Sequence, residues 1–464
     1  MSKLVVIGGG PAGYVAAITA AQNGKEVTLI DEADLGGTCL NVGCMPTKSL
    51  LESAEVHDIV RKANDYGVTL NTGSISIDWD QIQARKSQIV MQLVQGIQYL
   101  MKKNKIKVVK GKAKFETDHR VRVVQGNKEE VVDGESFIIA AGSEPTELPF
   151  APFDGKWILN SSHAMSLKGV PSSLLIVGGG VIGGGVIGCE FASIYSRLGT
   201  KVTIVEMAPQ LLPGEDEDIA HILREKLESD GVEIFTGAAL KGLNNYKKQA
   251  SFEYEGSIQE ANPEYVLISV GRKPRVQQLD LEKAGVQFSN KGIAVNEHMQ
   301  TNVSHIYAAG DVIGGIQLAH VAFHEGTKAA LHASGEDVKV NYHAVPRCIY
   351  TAPEIASVGL SEKGAREQYG DILIGEFPFT ANGKALILGE QVGKVKVIVE
   401  PKYQEIVGIS IIGPYATELI GQGTVMIHTE VTADIMRDYI AAHPTLSEAI
   451  HEALMQAVGH AVHA

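Results

Sequence analysis

Residues 4–13 read Leu4-Val5-Val6-Ile7-Gly8-Gly9-Gly10-Pro11-Ala12-Gly13, and they decide the fold. A short apolar run reads as a buried parallel strand, Gly-x-Gly-x-x-Gly turns the chain, and an alanine-rich helix follows to about Gln22. Val27 to Ile30 reads as a second strand, closed by the acid Asp31. Strand, glycine turn, helix, strand and acid form a dinucleotide fingerprint in the context it requires. Gly8, Gly10 and Gly13 allow the tight turn and close approach of a pyrophosphate, the helix start offers amide dipoles, and Asp31 suits ribose hydroxyls. The expected fold class is therefore α/β, built on Rossmann-like units.

Just downstream, residues 36–48 read GGTCLNVGCMPTK and hold two of the four cysteines, Cys39 and Cys44, with four residues between them. On one helix that spacing is about one and a half turns, too splayed for an unstrained disulfide. Flanking glycines and Pro46 permit a distorted first turn, and a bridge made there would be easily reduced. A zinc half-site or two buried thiols remain open as readings of the pair alone.

Further along, Ser49 to Met101 reads as helical, and Val108–Phe115 and Val121–Val124 as antiparallel strands. Phe137 to Pro145 reads as a strand closing on a Gly-Pro turn at Gly142. Leu174 to Val177 opens a second fingerprint, where residues 178–188 read Gly-Gly-Gly-Val-Ile-Gly-Gly-Gly-Val-Ile-Gly, a tandem repeat of five residues. Glu206 closes the next strand. Its interval from Gly188 equals that of Asp31 from Gly13, so the helix-side register is Gly183/Gly185/Gly188. Five extra residues then fall between strand and helix, where a pyrophosphate would sit. A carboxylate at Glu206 accepts from a 2′-hydroxyl and repels a 2′-phosphate, which favours NAD over NADP.

Val266 to Pro274 repeats the closing pattern of 137–145 with Gly271 at the turn, so the two nucleotide units look duplicated. After Pro346 glycine turns thin out and alternating strands precede helical stretches from Thr417 and Thr445, as in a separate α+β domain. The expected domains are 1–150, 151–272, 273–345 and 346–464.

At 464 residues, about three domains have ample length for large cores. A net charge of −13 argues against nucleic-acid or anionic-membrane partners. Four cysteines make no structural disulfide scaffold, and the N-terminus shows no basic region or long apolar span; the expected location is cytoplasmic.

Two dinucleotide units and a cysteine pair beyond the first point to electron flow among nicotinamide, flavin and disulfide. On GGTCLNVGCMPTK the chain resembles the flavoprotein disulfide reductases, also called pyridine nucleotide-disulfide oxidoreductases, over its whole length. Ala441-Ala442-His443-Pro444-Thr445-Leu446-Ser447-Glu448 is similar to the branch that oxidises dihydrolipoamide for 2-oxo acid or acetoin dehydrogenase complexes. The resemblance implies FAD and NAD domains with a C-terminal dimerisation domain, a homodimer, and a lipoyl-bearing acyltransferase as partner. FAD would lie on the first fingerprint, Asp31, Gly37, Thr38, Lys48, Ala113, Gly142, Asp311 and the segment Gln317-Leu318-Ala319-His320. NAD would lie on the second fingerprint, Glu206 and Gly271. Cys44 would face the flavin, Cys39 would exchange with substrate, and Lys48 would pair with Glu190. His443, oriented by Glu448, would serve as base for the other subunit.

Two departures from the family stand out. Met45 replaces a usual Ile or Val, a tolerated swap, while the repeat at 178–188 is expected to weaken NAD binding or hydride transfer. A glutathione reductase would want basic residues at 206–212, and a mercuric reductase a C-terminal cysteine pair; neither is present. A structural subunit with a silent redox site is the alternative of another class. Cys189 and Cys348 read as buried small hydrophobes, His320 and His324 as a helix pair without a third ligand, and His460 and His463 as surface residues.

Overall fold

The computed structural model describes residues 2–69, 75–178 and 184–463. The helices used below are α1 (Pro11–Gln22), α2 (Gly37–Val42), α3 (Cys44–Lys62), α4 (Trp79–Lys103), α5 (Gly184–Arg197), α6 (Glu217–Ser229), α7 (Ala319–Ala333), α8 (Ala416–His428) and α9 (Glu448–Ala457).

The first unit is a parallel sheet in the order Ile306–Ala308, Ser136–Ile139, Lys3–Ile7, Glu26–Asp31, Lys107–Lys110. Its centre, Val5, Val6, Phe137, Ile138 and Ile139, is almost fully buried, as an apolar run covered on both faces requires. The strand at 306–308 returns to this sheet from beyond the second unit, and α7 packs along α1. There Gly326 is needed, because a Cβ would meet the Ala12 carbonyl at 2.3 Å.

The second unit repeats the plan with Glu233–Thr236, Lys201–Glu206, Ser173–Val177, Tyr265–Ile268 and Ile158–Leu159, all parallel. Each unit carries a three-stranded antiparallel flap, at 112–133 and 239–261. The chain exits of the two units pair with each other, Ser143–Pro145 antiparallel to Arg272–Pro274. The C-terminal part is an antiparallel sheet in the order Arg347–Ile349, Glu354–Gly359, Ile406–Gly413, Lys394–Val399, Leu373–Pro378. Helix α8 packs on strands 354–359 and 406–413, and α9 on 373–378 and 394–399.

Two expectations need correction. Val108–Phe115 is not one antiparallel strand: the chain turns at Gly111, leaving 107–110 as the fifth parallel strand and 112–117 in the flap. The helical region 49–101 is two helices, α3 ending at Lys62 and α4 opening at Asp78, whose carboxylate caps the Gln81 amide at 3.0 Å.

Candidate functional site

A cleft of about 1540 Å³ runs along the C-terminal edge of the first sheet, where parallel α/β folds bind nucleotides. It gathers Gly8, Gly10, Asp31, Gly37, Thr38, Cys39, Cys44, Lys48, Ala113, Gly142, Glu190, Asp311, Leu318 and Ala319 on one surface. Gly13 lies beneath the turn, where a Cβ would meet the Gly8 carbonyl at 1.8 Å. Gly185, Gly188, Glu206, Gly271, His443 and Glu448 do not line the cleft.

At one end, Asp31 Oδ2 accepts from the Gly9 amide at 2.5 Å and Oδ1 from Ala33 at 2.8 Å. Burial raises its pKa, and these amides only partly offset that. Asp311 accepts from the Ser143 hydroxyl at 2.5 Å, and Arg272 donates to that hydroxyl and to the Ser143 carbonyl, both at 2.8 Å. Behind them Glu325 takes the Gly310 amide and the Tyr342 hydroxyl, each at 2.7 Å. Sequence reading missed Ser143, Arg272 and Glu325. The available signal was an acid on the apolar stripe of α7, in line with Val321, Ala322, Ala329 and Ala330.

The residues present fit FAD. Gln317 Oε1 is buried without a partner beside the start of α7, and Leu318 at its N-cap offers no side-chain acceptor to the first amides. Leu318, Ala319 and His320 line the cleft, so these N–H groups are oriented for an electron-rich acceptor.

Gly43, at φ −145° and ψ −114°, breaks the helix between the two cysteines, so that Cys39 lies on α2 and Cys44 opens α3. A side chain at 43 could not fit: its Cβ would meet the Thr38 carbonyl at 2.8 Å. The cysteines are in the thiol form and share a hydrogen bond. That bond, aided by the Lys48 cation against burial and Glu190, lowers the Cys44 pKa to about 7. The same bond, burial and the charge of Cys44 push Cys39 strongly upward. The pair is thus polarised, with Cys44 as thiolate and Cys39 as thiol.

Lys48 Nζ lies 2.7 Å from Glu190 Oε1 and 4.4 Å from the centre of the Tyr350 ring, and the Tyr350 amide also donates to Glu190. Seven residues along each helix, Arg197 on α5 reaches Asp58 at 2.6 Å and also Glu55, while His57 Nδ1 bonds the Arg197 carbonyl. Helices α3 and α5 are therefore tied by ion pairs at two levels.

In the second unit, Gly178 repeats the packing of Gly8. Its amide bonds the Val205 carbonyl at 2.9 Å, and a Cβ would meet the Ser269 carbonyl at 2.7 Å. Gly188 repeats Gly13, with a Cβ 2.5 Å from the Gly178 carbonyl. The strand-side glycine is thus Gly178 and the helix-side one Gly188, ten positions apart where the first unit has five. This corrects the single register: the turn role expected of Gly183 is filled by Gly178, while Gly183 itself, with 179–182, lies outside the described residues. Helix α5 starts at Gly184, ahead of Gly185. Glu206 Oε1 accepts from the Ala208 amide at 2.7 Å, whereas Oε2 is buried without a partner and is available to a ribose hydroxyl. Deleting residues 179–183 restores the spacing of the first unit. The deletion is expected to lower KM for NAD+ by about tenfold, since misplacement by an ångström costs up to about 10²-fold; steady-state kinetics against NAD+ check this, and unchanged constants refute it.

His443 is exposed; its Nδ1 lies 2.8 Å from Glu448 Oε1, and Glu448 Oε2 takes the Thr445 amide at 2.8 Å. Burial alone would raise the Glu448 pKa, but the amide and His443 outweigh it and hold it low. This bond fixes the ring and leaves Nε2 free.

Among the other residues, Cys189 is fully buried and Met45 packs on the core beside Cys39. Cys348 departs from expectation in also lining the cleft near Tyr350. His320 bonds the Pro346 carbonyl, His463 bonds Glu452, and His460 is exposed. The acidic run 215–218 does open α6, but Glu215 and Asp216 are buried. With Asp218 they hold Arg347 and the almost buried Lys396 of the C-terminal sheet.

Residues 2–326 match the family model described as pyridine nucleotide-disulphide oxidoreductase, and residues 345–454 match its dimerisation domain. A dihydrolipoyl dehydrogenase of Bacillus subtilis is 58% identical over 461 residues, covering 99% of this chain and 100% of that one. A dihydrolipoyl dehydrogenase of Geobacillus stearothermophilus is 39% identical, covering 100% and 97%. Among solved structures, LpdA of Mycobacterium tuberculosis superposes with a TM-score of 0.89 at 28% identity, covering 98% and 99%. The HOCl-induced flavoprotein disulfide reductase RclA of Escherichia coli, as its Cu(II) complex, gives 0.86 at 29%, covering 98% of each chain.

Proposed function

The chain belongs to the pyridine nucleotide-disulphide oxidoreductase family, and from that premise we propose that it is a dihydrolipoyl dehydrogenase. It reoxidises a lipoyl dithiol to the disulfide with FAD as resident cofactor and NAD+ as final acceptor. The observation that carries this reading is the polarised Cys39–Cys44 pair on the cleft wall, beside Lys48 and Glu190.

In the working dimer, His443 of the partner subunit takes a proton from the substrate dithiol through the free Nε2. The resulting thiolate attacks Cys39 Sγ of the oxidised pair, and the S–S bond breaks with Cys44 leaving as thiolate. A lowered pKa makes Cys44 the better leaving group. The second substrate sulfur then attacks the first, forming the substrate disulfide and returning two electrons and a proton to Cys39. FAD in the cleft supplies the two-electron path from this reduced pair to NAD+. Glu206, with its unpartnered oxygen, selects NAD+ by accepting from the 2′-hydroxyl.

The substrate arrives on a lipoyl-bearing acyltransferase of a 2-oxo acid or acetoin dehydrogenase complex, in the cytoplasm. The dimer forms through the C-terminal domain, where Ile435 and Ile440 are exposed in one chain. Among the described residues, no helix is long and apolar enough to cross a membrane. The test is NADH formation from dihydrolipoamide and NAD+, run beside glutathione disulfide with NADPH. Turnover is expected only in the first; turnover only in the second overturns the reading.

A further inference from the structure

Away from the cleft, the turn at 297–299, the last turn of α7 and the loop after it bring His298, His332 and Asp337 together. One ligand atom from each lies within 4.8 Å of the others, and none of the three residues lines the cleft. His298 Nδ1 is 2.8 Å from the Val338 carbonyl, and His332 Nδ1 is 3.0 Å from the Tyr307 hydroxyl. Both rings are thus held on their Nδ1 side, leaving Nε2 for another partner. This is how metal-ligating histidines are usually oriented.

The rings stand 4.5 Å apart and tilted by 37°, so their in-plane lone pairs are not parallel. Two carboxylates adjoin them: Glu297 Oε1 lies 3.6 Å from His298 Nε2, and Asp337 Oδ1 lies 3.7 Å from His298 Nδ1. Ligand atoms around a tetrahedral zinc ion lie about 3.3 Å apart, given bonds of about 2.0 Å. The side chain of Asp337, 89% exposed, is free to close that gap.

A second group, Asp118, His119 and His305, compares poorly. Its rings stack at 4.1 Å with only 2° between their planes, so the lone pairs run parallel, and His305 Nε2 is already 3.0 Å from the Asp118 carbonyl.

We propose that His298, His332 and Asp337 bind one divalent transition-metal ion of the zinc type per chain. Imidazole and carboxylate donors without thiolate select Zn²⁺ and its neighbours over Mg²⁺ or Ca²⁺. The ion fastens the far end of α7, the helix whose first amides line the cleft, to the turn at 297–299.

The oxidised FAD-containing dimer, its redox pair closed so that no thiol competes, is titrated calorimetrically with ZnCl₂. One ion per chain is expected, with affinity falling at least about tenfold in His298→Ala and in Asp337→Asn. The wild-type Tm should rise with zinc concentration. Asp337→Asn alters an exposed side chain and decides the matter should His298→Ala fail to fold. Absence of stoichiometric binding, equal affinity in the variants, or loss only in His119→Ala overturns the site.

Discussion

Cys44→Ser is expected to lower dihydrolipoamide-dependent NAD+ reduction by about 10⁴-fold or more, while NADH-dependent reduction of a dye acceptor persists. A serine hydroxyl forms no S–S bond, so no electrophilic sulfur remains for substrate to attack at Cys39. The dye reaction bypasses the dithiol and shows that both nucleotide sites are intact; loss of both activities together would refute a specific redox role. The wild-type reduced pair carries a pH signature as well. Its Cys44 pKa is lowered to about 7, against about 8.5 for an ordinary thiol. A lowered pKa means that the thiolate survives to lower pH, so its ultraviolet absorbance should be present at pH 8 and fade as pH drops through about 7. Lys48→Met removes a cation that helps to lower this pKa and should move the fading to higher pH.

His443→Gln should cost about 10²–10⁴-fold in kcat/KM for dihydrolipoamide, the usual worth of a positioned proton acceptor. Its effect should be confined to the dithiol half-reaction, with hydride exchange between NADH and NAD+ analogues unchanged. Glu448→Gln keeps a hydrogen-bonding group at the ring and should cost less. Subunit mixing gives the sharper test. A dimer pairing one Cys44→Ser chain with one His443→Gln chain contains one intact cysteine pair facing one intact histidine, and should regain up to about half of wild-type turnover. A hybrid as inactive as its parents would show that His443 does not act across the interface.

Much of the fold could be read along the chain because its signals are local. An apolar run, a glycine turn, a helix and an acid all fall between Leu4 and Asp31, and the second unit carries the same set between Leu174 and Glu206. What escaped was set by distant partners. The apolar pattern of 108–115 is the same whether its neighbour is the parallel strand 26–31 or the antiparallel strand 120–125, and only the turn at Gly111 separates the two. The acids at 215–218 read as a solvated helix start; Lys396, far along the chain from Asp216, draws two of them into a buried cluster. In the site, the motif residues were legible, but Ser143, Arg272 and Glu325 were not, since each acts through a neighbour brought up by folding. The repeat at 178–188 was visible but ambiguous. Sequence spacing identifies the helix-side glycine, whereas only packing against Ser269 identifies the strand-side one.

The two ion-pair levels joining α3 to α5 have a mechanical meaning. Seven residues of helix span about 10 Å, so a tilt between these helices large enough to open a gap must part at least one pair. Glu190 and Arg197 are 5% and 7% exposed, and parting a buried ion pair costs about 3–5 kcal/mol. The helix that begins with Cys44 and the helix that begins at the nicotinamide-side glycine turn therefore behave as one rigid strut. A swing of the second nucleotide unit cannot provide access for nicotinamide. Access falls to side chains at the strut's upper end, and Tyr350, lying against Lys48 without a second helix to lock it, is the gate best placed to move.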